Sequence, residues 1–263
     1  MNIKHHLLVL TLITLISQSA YSMVTLSLDF SDPAQLEQLE ARDSHNDYAG
    51  WDMPSISGGA LHIEETLIDT GITIGDDFSL SLDFHFTGTG GVRHFIQLGI
   101  VTEYGTYSDS GGTIHEGGPG QLFGPGTEYS IMVLDNSSDI AQIRDLKSWG
   151  SEAVIASSST PFLADQSYRA TLTGSRPDAF SLHTLDFSIS ELGSGTDIFS
   201  TSRTDFLPAN GRLAFSGLTN PVSIDQMSAT SSVPEPSAYG LIMGCMVAMI
   251  LQLRRRSKAG RKQ

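Results

Sequence analysis

Apolar and polar residues alternate along several short segments of this 263-residue chain. In residues 78–86, FSLSLDFHF, every second side chain is apolar, and the residues between them are Ser79, Ser81, Asp83 and His85. Successive side chains of a strand point to opposite faces, so this pattern predicts a strand with one buried face. Similar patterns predict further strands at 60–65, 94–101, 129–135, 168–174, 180–190, 211–218 and 221–230.

Turn residues separate these segments, in clusters such as TGTGG, GSRPD, GSGTD and PANG. Residues 32–42, DPAQLEQLEAR, form the one segment with a helical pattern, in which Asp32 is placed to cap the helix and Pro33 stands in its first turn. Many strands, few helices and abundant turns predict an all-β fold, an antiparallel β-sandwich of the jelly-roll type, over residues 23–230.

The first 22 residues have the pattern of a secretory signal peptide. Lys4 supplies a positive charge, residues 7–16 are mostly apolar, and Ala20 and Ser22 are the small residues that a signal peptidase requires. We therefore expect cleavage after Ser22 and export of the following domain. A buried N-terminal helix is the alternative interpretation of the same residues.

Charge is distributed unevenly along the chain, whose formal net charge is −14. Lys4 and the six basic residues of the C-terminal tail leave eight basic residues against 28 acidic ones in 23–230, a formal charge of −20 for that part. Such a domain is not expected to bind nucleic acid or an anionic membrane surface, whereas neutral glycans and cations are compatible with it. The acidity also serves solubility, which is the simpler explanation.

No motif for catalysis or metal binding is found. The single cysteine, Cys245, lies outside 23–230, and no G-x-S-x-G, Walker or H-E-x-x-H pattern occurs. Asp186 and Glu191 are five residues apart and would face opposite sides of a strand, so they do not form the carboxyl pair of a glycanase. We predict no catalytic residues and no enzyme activity.

Three sets of residues offer metal ligands without a known motif. His85 with Asp83, or with His94 on the next strand, can hold a divalent ion, although a solvated outer face is the preferred interpretation. Calcium is the other alternative, because carboxylates at Asp76 and Asp77 and at positions 135, 139 and 145 can supply oxygen ligands. We predict no metal site and no cofactor, with calcium kept as a possibility.

Residues 102–128 predict a long loop with eight glycines and two prolines. Loops of this length in compact domains are usually functional or disordered. Aromatic side chains of the loop can stack on sugar rings or pack back onto the sandwich. The candidate glycan-binding residues are those of the loop and the two tryptophans: Trp51, Tyr104, Tyr107, Phe123 and Trp149.

The C-terminal segment combines three features. Pro234, Glu235 and Pro236 form a linker motif within 231–238, an apolar stretch at 239–253 is a short candidate membrane helix, and a basic tail at 254–263 follows. At 1.5 Å per residue the apolar stretch is somewhat shorter than a bilayer core of about 30 Å. The positive charges predict a cytoplasmic tail and an acidic domain on the other side of the membrane.

These features, with Arg254, Arg255 and Arg256 directly after the apolar stretch, resemble the PEP-CTERM sorting segment of exopolysaccharide-producing bacteria. The resemblance implies that an exosortase, a membrane transpeptidase, recognises the segment and cleaves near the Pro-Glu-Pro motif. The chain would then be anchored transiently in the inner membrane and released to the cell surface or extracellular matrix. A permanent single-pass anchor is the alternative.

The body of the chain resembles concanavalin A-like and laminin G-like jelly rolls. The resemblance includes ISGGALHI at 56–63, YRATLTG at 168–174 and the closing block NGRLAFSGLTNPVSIDQMSAT at 210–230, with Gly211-Arg212-Leu213 and Ile224-Asp225. It implies a protein that binds or organises extracellular polysaccharide. A purely structural surface or matrix component is the alternative, followed by a divergent glycoside hydrolase, since fold alone does not choose among these functions.

Overall fold

A computed structural model of the chain describes residues 21–43, 54–63, 66–87, 94–102, 106–108, 114–116, 127–136, 140–148, 151–158, 162–163, 166–178, 181–218 and 222–234. The chain divides into two compact units. The larger is Val24–Ser231; the smaller combines 1–23 with 232–263 and is described only at 21–23 and 232–234. The signal peptide up to residue 20, the membrane stretch at 239–253 and the basic tail lie outside the described residues.

Eight strands form the first sheet. Along it the order is β15-β14-β13-β6-β17-β4-β3, and β1 also pairs with β17. In chain order the strands are β1 (Tyr21–Leu28), β3 (Ser55–Ser57), β4 (Ala60–Ile63), β6 (Asp77–Phe86), β13 (Tyr168–Ser175), β14 (His183–Glu191), β15 (Asp197–Asp205) and β17 (Val222–Pro234).

Seven strands form the second sheet, in the order β12-β11-β10-β7-β16-β5-β2. They are β2 (Glu40–Asp43), β5 (Thr66–Thr73), β7 (His94–Val101), β10 (Thr127–Asn136), β11 (Ile140–Ser148), β12 (Ser151–Ser158) and β16 (Arg212–Leu218). Two further short strands, β8 (Thr106–Ser108) and β9 (Ile114–Glu116), pair with each other inside the segment that the sequence predicts as a loop.

The hydrophobic core lies between the two sheets and takes side chains from both. Leu80, Leu82 and Phe84 of β6 are fully buried, as the alternating pattern predicts. They belong to the same hydrophobic cluster as Leu98 and Phe215 of the second sheet. Two antiparallel sheets packed on a shared apolar layer form a β-sandwich, so the predicted all-β antiparallel sandwich is confirmed.

The predicted helix at 32–42 is shorter than expected. Asp32 caps it by accepting a hydrogen bond from the Ala34 N–H, but the helix is a 3-10 helix at Pro33–Gln38. The chain then enters β2, which pairs with β5. The last residues of the predicted helix pair with β5 instead, because a 3-10 helix of this length contributes little stability of its own.

The last strand continues beyond the predicted domain boundary at residue 230. β17 reaches Pro234, and Ser231 and Ser232 are buried within it. The described part of the predicted linker, 231–234, is therefore strand rather than flexible chain. In the part of the chain that the structure describes, no helix has the length and apolar character needed to cross a membrane.

Candidate functional site

The outward face of the first sheet carries mainly hydroxyl side chains. On β13, Ala170 and Leu172 are buried toward the core, while Thr171 and Thr173 between them are half-buried on the other face. The same alternation recurs on the neighbouring strands, since Phe187 of β14 is buried and its neighbours are not. Each strand therefore contributes polar side chains to one shared outer surface.

Strand register aligns these side chains across five strands. We call the resulting surface the hydroxyl face. Its first row is Ser228, Ser81, Thr171, Ser188 and Ser200. Its second row is Thr230, Ser79, Thr173, Asp186 and Ser202. Neighbouring members of a row are about 4.8 Å apart, the spacing of hydrogen-bonded strands, and the Ser81 and Thr171 hydroxyl oxygens are 3.2 Å apart.

A shallow depression of about 340 Å³ lies on this face across β13, β14 and β15. Its lining consists of Thr171, Thr173, Asp186, Phe187, Ser188, Ser200, Thr201 and Ser202. Asp186 supplies the carboxylate of this lining and is exposed to solvent. Within the described residues, no hydrogen bond or ion pair engages that carboxylate, so it is open to accept hydrogen bonds from a ligand.

A paired charge borders the hydroxyl face at one end. Arg169 on β13 binds Asp83 on β6 through two hydrogen bonds of 2.6 Å, one to each carboxylate oxygen. The hydrogen bond to Asp83 raises the pKa of the Arg169 guanidinium. Because this cation is already neutralised by a bidentate partner, it does not provide a free positive charge for an anionic ligand.

On the second sheet, three polar side chains that the structure describes are buried instead: Ser216, Gln97 and Asp69. Ser216 of β16 donates a 2.9 Å hydrogen bond to Gln97 of β7, and both are inaccessible to solvent. Asp69 of β5 is equally buried and accepts a 2.6 Å hydrogen bond from Arg212. These residues form internal networks rather than an open surface, whereas the hydroxyl face is accessible to solvent.

Among the described residues, the histidine and carboxylate groups considered for metal binding contact different partners. Asp83 is held by Arg169, and His85 instead lies with its Nδ1 atom 3.2 Å from Asp225. Asp76, one of the calcium candidates, pairs with Arg176 at 2.7 Å. Among the residues that the structure describes, no three histidine, cysteine or acidic side chains are grouped as metal ligands. The side chains of His94, Asp135 and Asp145, and the whole of Asp139, lie outside the described residues.

Asp186 and Glu191 lie on opposite sides of β14, as the sequence predicts. Asp186 stands beside Thr173 and Ser202 on the outward face, whereas Glu191 is paired in register with the buried Tyr168. The Glu191 carboxylate accepts a 2.7 Å hydrogen bond from Ser194. The two carboxyl groups therefore do not face each other across the depression.

None of the aromatic residues chosen from the sequence can be placed at the depression. Trp51, Tyr104, Phe123 and Trp149 lie outside the described residues, and Tyr107 is placed only as a backbone position in β8. The hydroxyl face itself was missed by sequence reasoning. The alternation of Thr171 and Thr173 with buried residues was its signal, but only strand register brings them beside Asp186 and Ser202.

Comparison with known proteins identifies the fold. No protein-family model and no curated protein matches the chain. The solved structure of winged bean acidic lectin, complexed with methyl-α-D-galactose, is similar with a TM-score of 0.53 at 13% identity, covering 81% of this chain and 100% of the lectin chain. The CBM2 module of the evolved Dit protein of Lactobacillus casei BL23 phage J-1 gives 0.50 at 12% identity, with 81% and 97% covered. At these identities the likeness shows a lectin-like sandwich fold and nothing finer.

Proposed function

We propose that this chain is an exported, non-enzymatic protein that binds neutral extracellular polysaccharide through the hydroxyl face. The observation that carries the proposal is the solvent-exposed depression lined by hydroxyl groups and one unpaired carboxylate, Asp186. Hydroxyl and carboxylate groups are complementary to the hydroxyl-rich surface of a glycan, because each hydroxyl can donate and accept. The lectin of similar fold, complexed with a galactoside, supports the same class of ligand.

Charge supports a neutral rather than an acidic glycan. Residues 23–230 have a formal charge of −20, and Asp186 adds a negative charge within the depression itself. The nearest arginine on the same face, Arg169, is neutralised by Asp83. An anionic polysaccharide would meet repulsion without a compensating cation at the site.

The carboxylates of the depression support binding without hydrolysis. A glycoside hydrolase ordinarily needs two carboxyl groups on either side of the scissile bond. Asp186 is the carboxylate in the lining of the depression, and Glu191 lies on the other side of β14. We therefore propose that the chain retains a glycan and does not cleave it.

The test is affinity electrophoresis of the full chain in gels containing hydroxyethyl cellulose, laminarin, dextran or galactomannan, with alginate as the anionic comparison. Asp186→Asn should reduce the affinity for the retained neutral polysaccharide about tenfold, because a hydrogen bond to a charged group is lost. Asp197→Asn is the matched control, since Asp197 is an exposed carboxylate of β15 outside the depression. Equal retention of all three proteins, or no retention of the wild type by any neutral polysaccharide, would refute the proposal.

We also propose that the chain is sorted by an exosortase through Pro234, Glu235, Pro236 and the arginine cluster. The position of the motif supports this proposal, because Pro234 is the last described residue of β17 and the motif follows the closing strand of the sandwich along the chain. Proline lacks the N–H that a further strand pairing would need, so the motif is suited to leave the sheet as an extended chain.

Intact mass and cell fractionation of the native protein test the sorting proposal. A product in the matrix or medium that lacks Met1–Ser22 and the segment after the Pro-Glu-Pro motif is expected. A product in the inner membrane that retains residues 239–263 would mean a permanent anchor and would exclude release by an exosortase.

A further inference from the structure

An exposed phenylalanine follows directly after the hydroxyl face along its edge strand. Phe206 is 66% exposed, although both of its chain neighbours, Asp205 and Leu207, are buried. Its position continues the outward alternation of Ser202 and Thr204 on β15. Large apolar side chains with this much exposure are informative when they adjoin a polar binding surface rather than stand alone.

A second exposed apolar side chain, Leu182, directly precedes the neighbouring strand β14. His183 and Asp205 form the last pair of the β14–β15 ladder. Leu182 and Phe206 each lie one residue beyond that pair, and Leu182 is 51% exposed. The two side chains therefore form an apolar end to the strands that carry Asp186 and Ser202, which we call the apolar end.

The backbone at the apolar end is fixed by its surroundings. Asp205 accepts a 2.9 Å hydrogen bond from the Phe206 N–H and a 2.8 Å hydrogen bond from Arg203. Arg203 in turn lies over the buried Tyr129 ring, 5.1 Å from its centroid. These contacts and the buried Leu207 fix the backbone at Phe206, so binding has to order the side chain but not the chain that carries it.

The spacing suits an elongated ligand. Ser202 lines the depression and Phe206 is four residues further along the chain, which corresponds to about 14 Å at about 3.4 Å per residue of extended chain. A pyranose ring has an apolar face of C–H groups and a rim of hydroxyl groups. An aromatic ring matches the first and a hydroxyl-lined depression matches the second, the combination that small-molecule sites use for affinity and orientation.

We infer that Phe206, with Leu182, is an apolar subsite on which a sugar ring of a neutral polysaccharide stacks while neighbouring sugars lie in the depression. The glycan chain then lies lengthwise along β14 and β15. This inference rests on the proposed function and adds to it a second contact point, a direction for the chain and a minimum ligand length. A protein partner fits this surface less well, because two apolar side chains beside a hydroxyl-rich strand offer less apolar area than the core of a stable interface.

The experiment compares ligands of different length on the full chain. Laminarin, or whichever of the neutral polysaccharides is retained, is used intact and as size-fractionated oligosaccharides, with affinities measured by calorimetry. Phe206→Ala should weaken binding of the intact polysaccharide and of the long oligosaccharides about tenfold. The same variant should leave binding of a disaccharide unchanged, because a disaccharide fills the depression without reaching residue 206.

Two further variants make the result specific. Phe206→Trp keeps an aromatic ring and should retain wild-type affinity. Leu163→Ala is the matched surface control, because Leu163 is 53% exposed and precedes β13 rather than ending β15; its affinity should equal that of the wild type. Phe206 is exposed, so the melting temperature of Phe206→Ala should also be unchanged.

The failure of this inference differs from the failure of the proposed function. If Asp186→Asn weakens binding and Phe206→Ala does not, polysaccharide binding stands and the apolar subsite is wrong. If Phe206→Ala weakens disaccharide and polysaccharide equally, the lengthwise arrangement is wrong. If the wild type binds no neutral polysaccharide, both proposals fall. If Phe206→Ala instead abolishes self-association seen by sedimentation, the apolar end contacts a second copy of the chain and the inference is overturned.

Discussion

At the scale of single residues, His183 is a buried titratable group at the first position of β14. Its Nε2 atom lies 3.1 Å from the Gly75 carbonyl oxygen, so Nε2 carries the proton and donates it. The Nδ1 atom is buried without a hydrogen-bond partner among the described residues, and the ring packs 5.7 Å from Phe78. A second proton on Nδ1 would therefore create a buried positive charge whose N–H has no acceptor.

Burial lowers the pKa of His183 from its ordinary value of 6.5, and the charge of Arg176 acts in the same direction. The hydrogen bond to Gly75 and the carboxylates of Asp76 and Asp77 oppose this shift without cancelling it. Below pH 6.5 the unfolded chain thus binds a proton that the folded chain resists. Stability contributed by neutral His183 is complete above about pH 6.5 and is lost as the pH falls toward the lowered folded value.

We expect the free energy of unfolding, measured by urea titration between pH 5 and pH 8, to fall less steeply toward acid in His183→Gln than in the wild type. Glutamine does not titrate and can still donate to Gly75, so the difference in slope isolates the imidazole. One such group contributes at most about 1.4 kcal/mol per pH unit. Identical slopes for the two proteins would show that His183 is not the responsible group.

At the scale of elements, β6 and β13 approach closely through a glycine. Gly174 is paired in register with Phe78, and a methyl group at residue 174 would overlap the Phe78 ring. Gly174→Ala should destabilise the protein by about 1–3 kcal/mol, because the ring must move within a packed core. Gly193→Ala is the control: a methyl group there meets open space, so the change should stay within about 0.5 kcal/mol. Thermal unfolding of both variants measures this difference in stability, and equal melting temperatures would contradict the packing argument.

Strands with one apolar face are the most directly predictable from the sequence. β6 and β14 alternate cleanly, so their positions follow from periodicity alone. β5 was missed because both of its faces are buried and it includes the polar Asp69 and Thr70. β15 was missed because Thr201, Arg203 and Asp205 stand at its inward positions, where apolar residues are expected. In these strands tertiary contacts, rather than local pattern, determine the structure.

At the scale of the whole molecule, the site depends on pairings that periodicity cannot supply. Thr173, Asp186 and Ser202 are neighbours because β13, β14 and β15 pair in one register, and a shift of one residue would turn each strand over. Serine and threonine are common on solvated sheet faces, so no single one marks a site. Asp186 was noticed in the sequence only as an unsuitable partner for Glu191, whereas its role in lining the depression required the fold.

Strand β17 is a central strand of the first sheet. This strand lies between β6 and β4 and also pairs with β1, and its side chains Val222, Ile224 and Met227 are fully buried. Burial of each such side chain contributes about 1.5–3 kcal/mol. The total is comparable with the whole stability of a domain, about 5–15 kcal/mol. Without β17 the first sheet would also divide, because β6 and β4 would lose their common neighbour.

A chain of residues 23–234 should therefore unfold cooperatively by circular dichroism and bind the same polysaccharide as the full chain, since it contains every described strand apart from the first two residues of β1. A chain of residues 23–221 should show no cooperative transition, because its first sheet is divided and Leu82 and Phe84 lose the strand that pairs beside them. A cooperative transition in the shorter chain would mean that the two halves of the sheet fold without β17. If 23–234 folds and binds, the proposed cleavage at the Pro-Glu-Pro motif would leave the domain with its binding surface intact.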